Sequence, residues 1–505
     1  MFVRKKKNPN NFFTIQVVDK SSGFYRVIKN FGVAKTINQK EQYIKEANEW
    51  IKQRQGILEI DYDEIDKQVL QFFNNIQSLQ RSGPDLVLGR IFDEIGFNKI
   101  KDPIFKQLVL YRLIYPGSKL KTTEYLYRYH QIHWDEDKVY RYLDKLHNKQ
   151  QQFVQQISYD HTIQILHATP QVVFYDVTTI YFEIEREDEL RQTGFSKEGK
   201  HQNPQIVLGL LVSKNGYPLA YDIFQGKQFE GHTLLPVIEK FASTYHLQKL
   251  IVVADAGLLS NQNIDLLVQH QYEFIIGARI KNESRELQQQ ILAKQYQTGS
   301  THIFARTDAT RLIVSYSDKR AAKDAMNRAR GLKRLENQLS KGRLTKNNIN
   351  NKGYNKYLKL TGNITLSIDY EKYKADEKWD GLKGYLTNSK LSTDDIIANY
   401  NHLWQIEKAF RISKTDLKIR PIYHRLPRRI AAHICLNFVA YKVYKELERQ
   451  LEMVQSPLKA RKVIEIAESI FQIEVQLPTS KRKIKRTLLL NNEQKLLAQI
   501  LNLKI

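Results

Sequence analysis

Hydrophobic and polar positions follow two different rhythms along the chain. Near the start, Phe13-Thr14-Ile15-Gln16-Val17-Val18 and Tyr25-Arg26-Val27-Ile28 flank a Ser-Ser-Gly turn, the pattern of a small hairpin. A charged amphipathic helix is predicted over about 39–55. Residues 60–165 then place apolar side chains three and four apart, which predicts helices, with Gly83-Pro84 and Tyr115-Pro116-Gly117-Ser118 as their boundaries. No helix-turn-helix stands out in this region.

The rhythm changes at Val172. The run Val172-Val173-Phe174-Tyr175-Asp176-Val177-Thr178-Thr179-Ile180-Tyr181-Phe182 is β-branched and aromatic, the composition of a strand. Ile206–Val212 and Tyr217–Phe224 read as two more strands, joined through Asn215-Gly216, a dipeptide that tolerates the positive φ of a tight hairpin. A helix over 234–245 precedes Leu250-Ile251-Val252-Val253-Ala254, a continuous apolar run expected of a buried parallel strand. A helix over 263–270 and the strand Glu273–Ile276 follow. Three hairpin-like strands, then helix, strand, helix, strand, is the order of a ribonuclease H-like α/β fold: a mixed sheet with helices on its faces. Residues 166–279 and 376–450 are assigned to that core. Residues 280–375, with a basic helix over 319–340 and strands near 311–316 and 357–369, are read as an inserted β-containing subdomain. Residues 1–165 form a β-hairpin plus mainly helical DNA-binding region, and 451–505 a helical tail.

Composition narrows the function. The chain has 505 residues, 79 Lys and Arg against 54 Asp and Glu, and a net charge of +25. That excess points to a polyanion, most often nucleic acid. It concentrates locally: 319–346 holds ten Lys/Arg against Asp324 and Glu336, and 408–429 holds eight against Asp416. A single cysteine, Cys435, excludes a disulfide framework and a Cys-rich zinc site. No apolar run approaches the ~18 residues of a membrane span, and the basic start runs into Asn-Pro-Asn-Asn rather than a signal-peptide core. The expected location is therefore the cytoplasm, in association with the nucleoid.

The chemistry centres on acids. Asp176 lies in the first strand and Asp255 ends the fourth, and these strands are neighbours in a ribonuclease H-like sheet. Two converging carboxylates repel each other, and a divalent cation resolves the repulsion. Tyr400, Glu407 and Lys414 are spaced seven apart in a helix predicted over about 393–415, so they share a stripe with Leu403 and Arg411. On periodicity alone Glu407 is an ion-paired surface residue; beside Asp176 and Asp255 it becomes the third acid.

At these residues the chain resembles the bacterial insertion-sequence transposases with a DDE active site and a Tyr-x2-Arg-x3-Glu-x6-Lys motif. Tyr400, Glu407 and Lys414 match the motif, while Leu403 stands at its Arg position. Further resemblance lies in Asp176-Val177-Thr178-Thr179-Ile180-Tyr181-Phe182, Gly194-Phe195-Ser196-Lys197-Glu198-Gly199-Lys200, Val253-Ala254-Asp255-Ala256-Gly257, Leu403–Arg411 and Arg420-Pro421-Ile422-Tyr423-His424. The resemblance implies that Asp176, Asp255 and Glu407 hold two Mg²⁺ ions, for which Mn²⁺ can substitute. It implies binding of terminal inverted repeats, cleavage of the element ends and joining of their 3′-hydroxyls to target DNA, by a homodimer on double-stranded DNA. It assigns phosphate or base contacts to Tyr400 and Lys414. The Arg role is vacant or moved, with Arg411 the candidate.

Lys418 and Arg420, in the basic segment after Glu407, and Lys197, Lys200 and His201, in the loop after the first strand, complete the expected DNA contacts. His433 and Cys435, on an apolar helix, are expected in the core, as is Trp404. Two other functions share these residues: a metal-dependent nuclease without strand transfer, and an inactive DNA-binding relative.

Overall fold

The computed structural model describes residues 1–56, 64–196, 199–258, 260–350, 353–361, 365–477 and 480–503. Two units are present, Met1–Ser78 with Glu474–Lys485, and Leu79–Ile473 with Arg486–Ile505.

The smaller unit is built around an antiparallel sheet of Phe2–Lys7, Phe13–Asp19 and Arg26–Ala34. The helix Ile37–Arg54 covers it, burying Ala47 and Ile51 on Ile15 and Val17. Thr36 caps that helix, its side chain accepting from the Gln39 N–H. The expected hairpin is thus joined by a third strand, Phe2–Lys7, whose basic run hid any alternation. Apart from Val3, which packs on that core, its side chains are exposed, as suits a charged edge strand.

In the larger unit the main sheet has eight strands: β1 (Val172–Tyr181), β2 (Gln205–Ser213), β3 (Pro218–Gln225), β4 (Ile251–Ala254), β5 (Glu273–Ala278), β6 (Thr301–Thr307), β7 (Thr310–Tyr316) and β8 (Leu382–Thr387). Their spatial order is β6-β7-β8-β5-β4-β1-β2-β3. Strands β1, β2 and β3 pair antiparallel, while β4 lies parallel to both β1 and β5. This is the ribonuclease H-like sheet. Helices α1 (Leu234–Thr244) and α2 (Asn261–Gln269) make the two crossovers, as the apolar rhythm predicts.

The structure redraws three expected boundaries. Residues 280–375 are not one separate insertion. Strands β6 and β7, with β8, extend the main sheet beyond β5 through antiparallel pairings. Phe304, Leu312, Val314 and Leu382 bury this extension against Ile280, Leu287 and Ile291, covering an edge that β5 would otherwise leave open. What forms its own core within that stretch is α3 (Asp318–Ser340) with the hairpin Leu358–Thr361 and Thr365–Ile368, through Leu335, Tyr357, Leu358 and Ile368. Second, the helices after Leu79 do not stand apart with the N-terminal hairpin. Phe92, Phe105, Leu108 and Leu143 belong to the same apolar cluster as Phe174 and Ile180 of β1. Third, the last helix, Asn492–Ile500, is no loose tail, because Leu497 and the following Leu501 join that cluster.

The centre of this cluster is α6 (Pro427–Met453), a helix buried on nearly every side. His433 and Cys435 lie in its core as expected. His433 Nε2 meets the Ile419 carbonyl at 2.9 Å, and burial pushes the Cys435 thiol up to about 12. Lys442, fully enclosed, donates to the Ser158 carbonyl at 2.9 Å and to the Thr162 hydroxyl, which fastens α6 to the helix Gln151–Leu166. Buried polar groups are tolerated when satisfied in this way.

Candidate active site

Strand alternation sorts the sheet into two faces. On β1, Val173, Tyr175 and Val177 point to the face covered by α1 and α2. Phe174 and Ile180 point to the face covered by α6 and its neighbours, and Asp176 shares their parity. On β4 the same division puts Val252 and Ala254 on one side and Val253 on the other, with Asp255 next in step. The register is decisive. Tyr175 pairs with Ala254, Ala254 with Ile276, and Ile276 with Leu386. One residue further along each strand is therefore a row: Asp176, Asp255, Gly277 and Tyr385, on the α6 face. Asp176 sits in mid-strand rather than at the end of β1, and Asp255 immediately follows β4.

The third acid comes from a helix that is broken, not continuous. Residues 393–415 form α4 (Thr393–Asn401) and α5 (Trp404–Thr415), with Ser392 capping the first by accepting from the Asp395 N–H. Across His402 and Leu403 the bonds run to the third residue back: Leu403 N–H to Tyr400 O, Gln405 N–H to His402 O, and Ile406 N–H to Leu403 O. Such tightened 3₁₀ turns advance about 120° per residue instead of 100°, so the uniform stripe through Tyr400, Glu407 and Lys414 is interrupted. Leu403 is turned into the core, 7% exposed, and cannot be exchanged for an Arg that reaches DNA from the same place. Ile406, Ala409 and Phe410 seat α5 against the sheet, which leaves Glu407 exposed.

Tyr400 is not an exposed DNA contact. It is 8% exposed, and its hydroxyl donates to Asp255 Oδ1 at 3.3 Å. Burial, and then the Asp255 charge, push the phenol well above its ordinary range, so it remains a neutral donor. Gly277 makes the contact possible. A Cβ there would stand 2.3 Å from the Tyr400 hydroxyl. Tyr385 meets the Tyr400 ring edge-on, with centroids 5.1 Å apart. Glu407 is near enough to raise the Tyr400 phenol slightly further.

Lys383 of β8 was not found from the sequence. Its ammonium lies 4.4 Å from the Tyr400 ring centroid and 5.2 Å from that of Tyr385. Burial lowers its pKa, Arg320 of α3 lowers it further, and Asp255 opposes both. The alternation of Lys383, Tyr385 and Thr387 with Leu382, Gly384 and Leu386 was the available signal. Gly277, inside an apolar strand, was a second one, since such a glycine often marks a close approach.

The other expected contacts divide. Lys200 and Arg420 flank one ring, their charges 5.8 Å and 5.0 Å from the Tyr181 centroid at the end of β1. His201 is exposed and its Nδ1 accepts from the Ser196 N–H at 3.4 Å. Lys197 lies outside the described residues. Lys414 is half-buried on α5. Arg411 is exposed and its charge acts on Tyr444 of α6, which gives no support to its taking over the Arg role. Lys418, at φ 43°, lines a cavity of about 530 Å³ with Arg112, Tyr423 and Arg461. Trp404 is half exposed rather than in the core, with Lys408 5.9 Å from its ring.

Among the described residues, no three acidic, His or Cys side chains are gathered closely enough to hold a metal ion as they stand. The donor chemistry nevertheless suits a hard divalent cation. Asp176, Asp255 and Glu407 offer carboxylate oxygens, and the last two are solvent-exposed.

A model of the family described as the transposase DDE domain matches residues 167–442, from just before β1 into α6. The chain belongs to this family. It is a DNA transposase of the DDE type, on a ribonuclease H-like fold. No curated protein matches it. Among solved structures it is similar to the piggyBac transposase synaptic complex with hairpin DNA, at 9% identity over 79% of each chain and a TM-score of 0.39. It is also similar to the Mos1 transposase paired-end complex with left transposon end, at 12% identity over 46% of this chain and 66% of that one, with a TM-score of 0.16. No helix among the described residues is long and apolar enough to cross a membrane.

Proposed function

We propose that this transposase binds the terminal inverted repeats of an insertion sequence, cleaves the element ends and joins their 3′-hydroxyls to target DNA. Asp176, Asp255 and Glu407 are its catalytic carboxylates, and it acts in the cytoplasm as a homodimer on nucleoid DNA. The observation that carries this reading is the register that sets Asp176 and Asp255 on adjacent parallel strands, on the face over which α4 and α5 bring Tyr400 and Glu407. When bound, two divalent ions, Mg²⁺ or Mn²⁺, supply activation of the attacking hydroxyl and stabilisation of the leaving oxygen.

The protein's own part is positioning and charge. Phosphoryl transfer needs in-line placement more than covalent help. The three carboxylates would hold the ions. Tyr400 restrains the Asp255 rotamer, and Gly277 leaves the space for that restraint. Lys414, Lys200 and Arg420, with Lys418 beyond them, are suited to neutralise the DNA backbone, and His201 to contact it.

The test supplies the full chain with duplexes taken from the DNA that flanks its reading frame, together with a target plasmid and Mg²⁺. Joined products are expected. Hydrolysis without joining would leave a nuclease. Unchanged cleavage by Asp255→Asn would overturn the site.

A further inference from the structure

Lys383 is a cation whose position the carboxylate chemistry does not explain. It stands on β8, a strand outside the five that make the ribonuclease H-like sheet. Its parity matches Tyr385, so it projects on the face that carries Asp176 and Asp255. Two aromatic rings hold its ammonium, and among the described residues no acid forms an ion pair with it. Arg320, in the first turn of α3, adds a second positive charge nearby. Arg320 meets Asp324 at 3.5 Å, a partly exposed contact that neutralises it weakly.

A half-buried cation beside a second cation is unfavourable unless an anion completes the group. Asp255 is one nearby charge, but its Oδ1 is already taken by Tyr400 and it is proposed to serve a metal ion. Holding a lysine by ring faces has a further consequence. Cation–π contacts orient the ammonium without using its three N–H donors, so these remain available to oxygen acceptors. The rings fix the ammonium on the face that carries the acid row.

We propose that Lys383, held against the rings of Tyr385 and Tyr400, contacts the phosphate that is cut. This rests on the carboxylate site proposed above. It also locates the motif's missing positive charge: with Leu403 in the core, the cation reaches the site from β8 instead of from the α4–α5 turn. Arg320 would extend the same positive edge into α3, so the basic helix leads away from the chemistry rather than lying apart from it.

The test compares the full-length parent with Lys383→Met and Lys383→Arg. Lys383→Met keeps most of the stem and removes the charge, and Lys383→Arg keeps the charge. Each protein is bound, without metal, to the cleavable flanking duplex and to the same duplex carrying one neutral methylphosphonate at the linkage the parent cuts. The ratio of the two affinities measures what the protein gains from that one charge. Relative to the parent, the ratio should shift about fivefold to tenfold toward the neutral duplex in Lys383→Met, as one charge-assisted hydrogen bond is removed, and stay near parental in Lys383→Arg. In Mg²⁺, cleavage by Lys383→Met should fall about a hundredfold or more, with an unchanged melting temperature.

An unchanged affinity ratio in Lys383→Met would overturn the proposal. So would parental cleavage by that variant while Asp255→Asn is inactive. Parental cleavage by Asp255→Asn would instead remove the carboxylate reading itself. If Lys383→Met melts early, Lys383→Gln read by the same affinity ratio decides the question.

Discussion

The two faces of the catalytic sheet are made from the same strands and differ in everything else. One face is dry: Tyr175, Val252, Ala254, Phe274, Ile276 and Leu386 meet Val237, Ile238, Phe241, Ile264 and Leu267 of α1 and α2. The other carries Phe174, Val253 and Ile275 into a larger core, then places Asp176, Asp255 and Gly277 one pleat further on. Stability and chemistry are thus separated by a single residue step. Substitutions one residue apart should therefore act on different observables.

The largest effect is expected at Asp255. Asp255→Asn should reduce DNA cleavage in Mg²⁺ by about a thousandfold or more, since several kcal/mol of charge stabilisation disappear. Its denaturant midpoint should match the parent's. Coupled loss of stability would blur the division between the faces.

On the dry face, Ile276→Ala removes a fully buried side chain one residue from Gly277. It should cost about 2–5 kcal/mol in urea unfolding, while the protein that stays folded cleaves DNA at close to the parental rate. Gly277→Ala should do the reverse. The added methyl displaces the Tyr400 hydroxyl from Asp255. Cleavage should fall about tenfold to a hundredfold, as expected for a misplacement of about 1 Å, with a smaller stability loss of about 1–3 kcal/mol. Parental activity in Gly277→Ala would show that Tyr400 does not position the acid.

The core around α6 also holds buried bases, which add a dependence on pH. Burial, helped by Lys119 and Arg112, lowers His424 from 6.5 to about 3. Burial, helped by Lys442, lowers His161 from 6.5 to about 4. Both are neutral in the folded chain. Below about pH 6.5 the unfolded chain takes up protons that the folded chain refuses, so their contribution is complete above 6.5 and is lost toward pH 3–4. Melting temperatures should fall as pH drops from 6.5 to 5, and His424→Gln should flatten that slope. An unchanged slope would show that His424 has no part in it.

The smallest effect concerns α3. Replacing Lys323 and Arg330 by Gln should reduce the steepness of the salt dependence of DNA binding by about one unit for each phosphate these side chains neutralise. An unchanged slope would place the DNA path elsewhere.

The β1–β5 order, both crossover helices and the placing of Asp176 and Asp255 on neighbouring strands were legible in the sequence, because apolar runs and the Asn215-Gly216 turn report local structure directly. The extension by β6–β8 was not. Strands that pair across a long intervening segment leave no local sign of their partner, and β8 pairs with β5 only after α3 and its hairpin have intervened. The break at His402 and Leu403 was also hidden, since both residues keep right-handed helical angles and only the bonding tightens. The seven-residue spacing assumed one continuous helix through Tyr400, Glu407 and Lys414, and the Tyr400 to which the resemblance gave a DNA contact is a buried residue whose hydroxyl donates to Asp255. Alternation and an in-strand glycine marked Lys383 and Gly277, but the neighbours they meet needed the register, which exists only in three dimensions.

The central claim is that Asp176, Asp255 and Glu407 form one metal site although they are far apart in sequence. Anomalous scattering from crystals of the full chain, bound to its flanking DNA and soaked with Mn²⁺, tests it most directly. Two peaks about 3.5–4 Å apart are predicted, within coordination distance of carboxylate oxygens of Asp176, Asp255 and Glu407. Manganese bound elsewhere, or at Asp176 and Asp255 with Glu407 turned away, would contradict it.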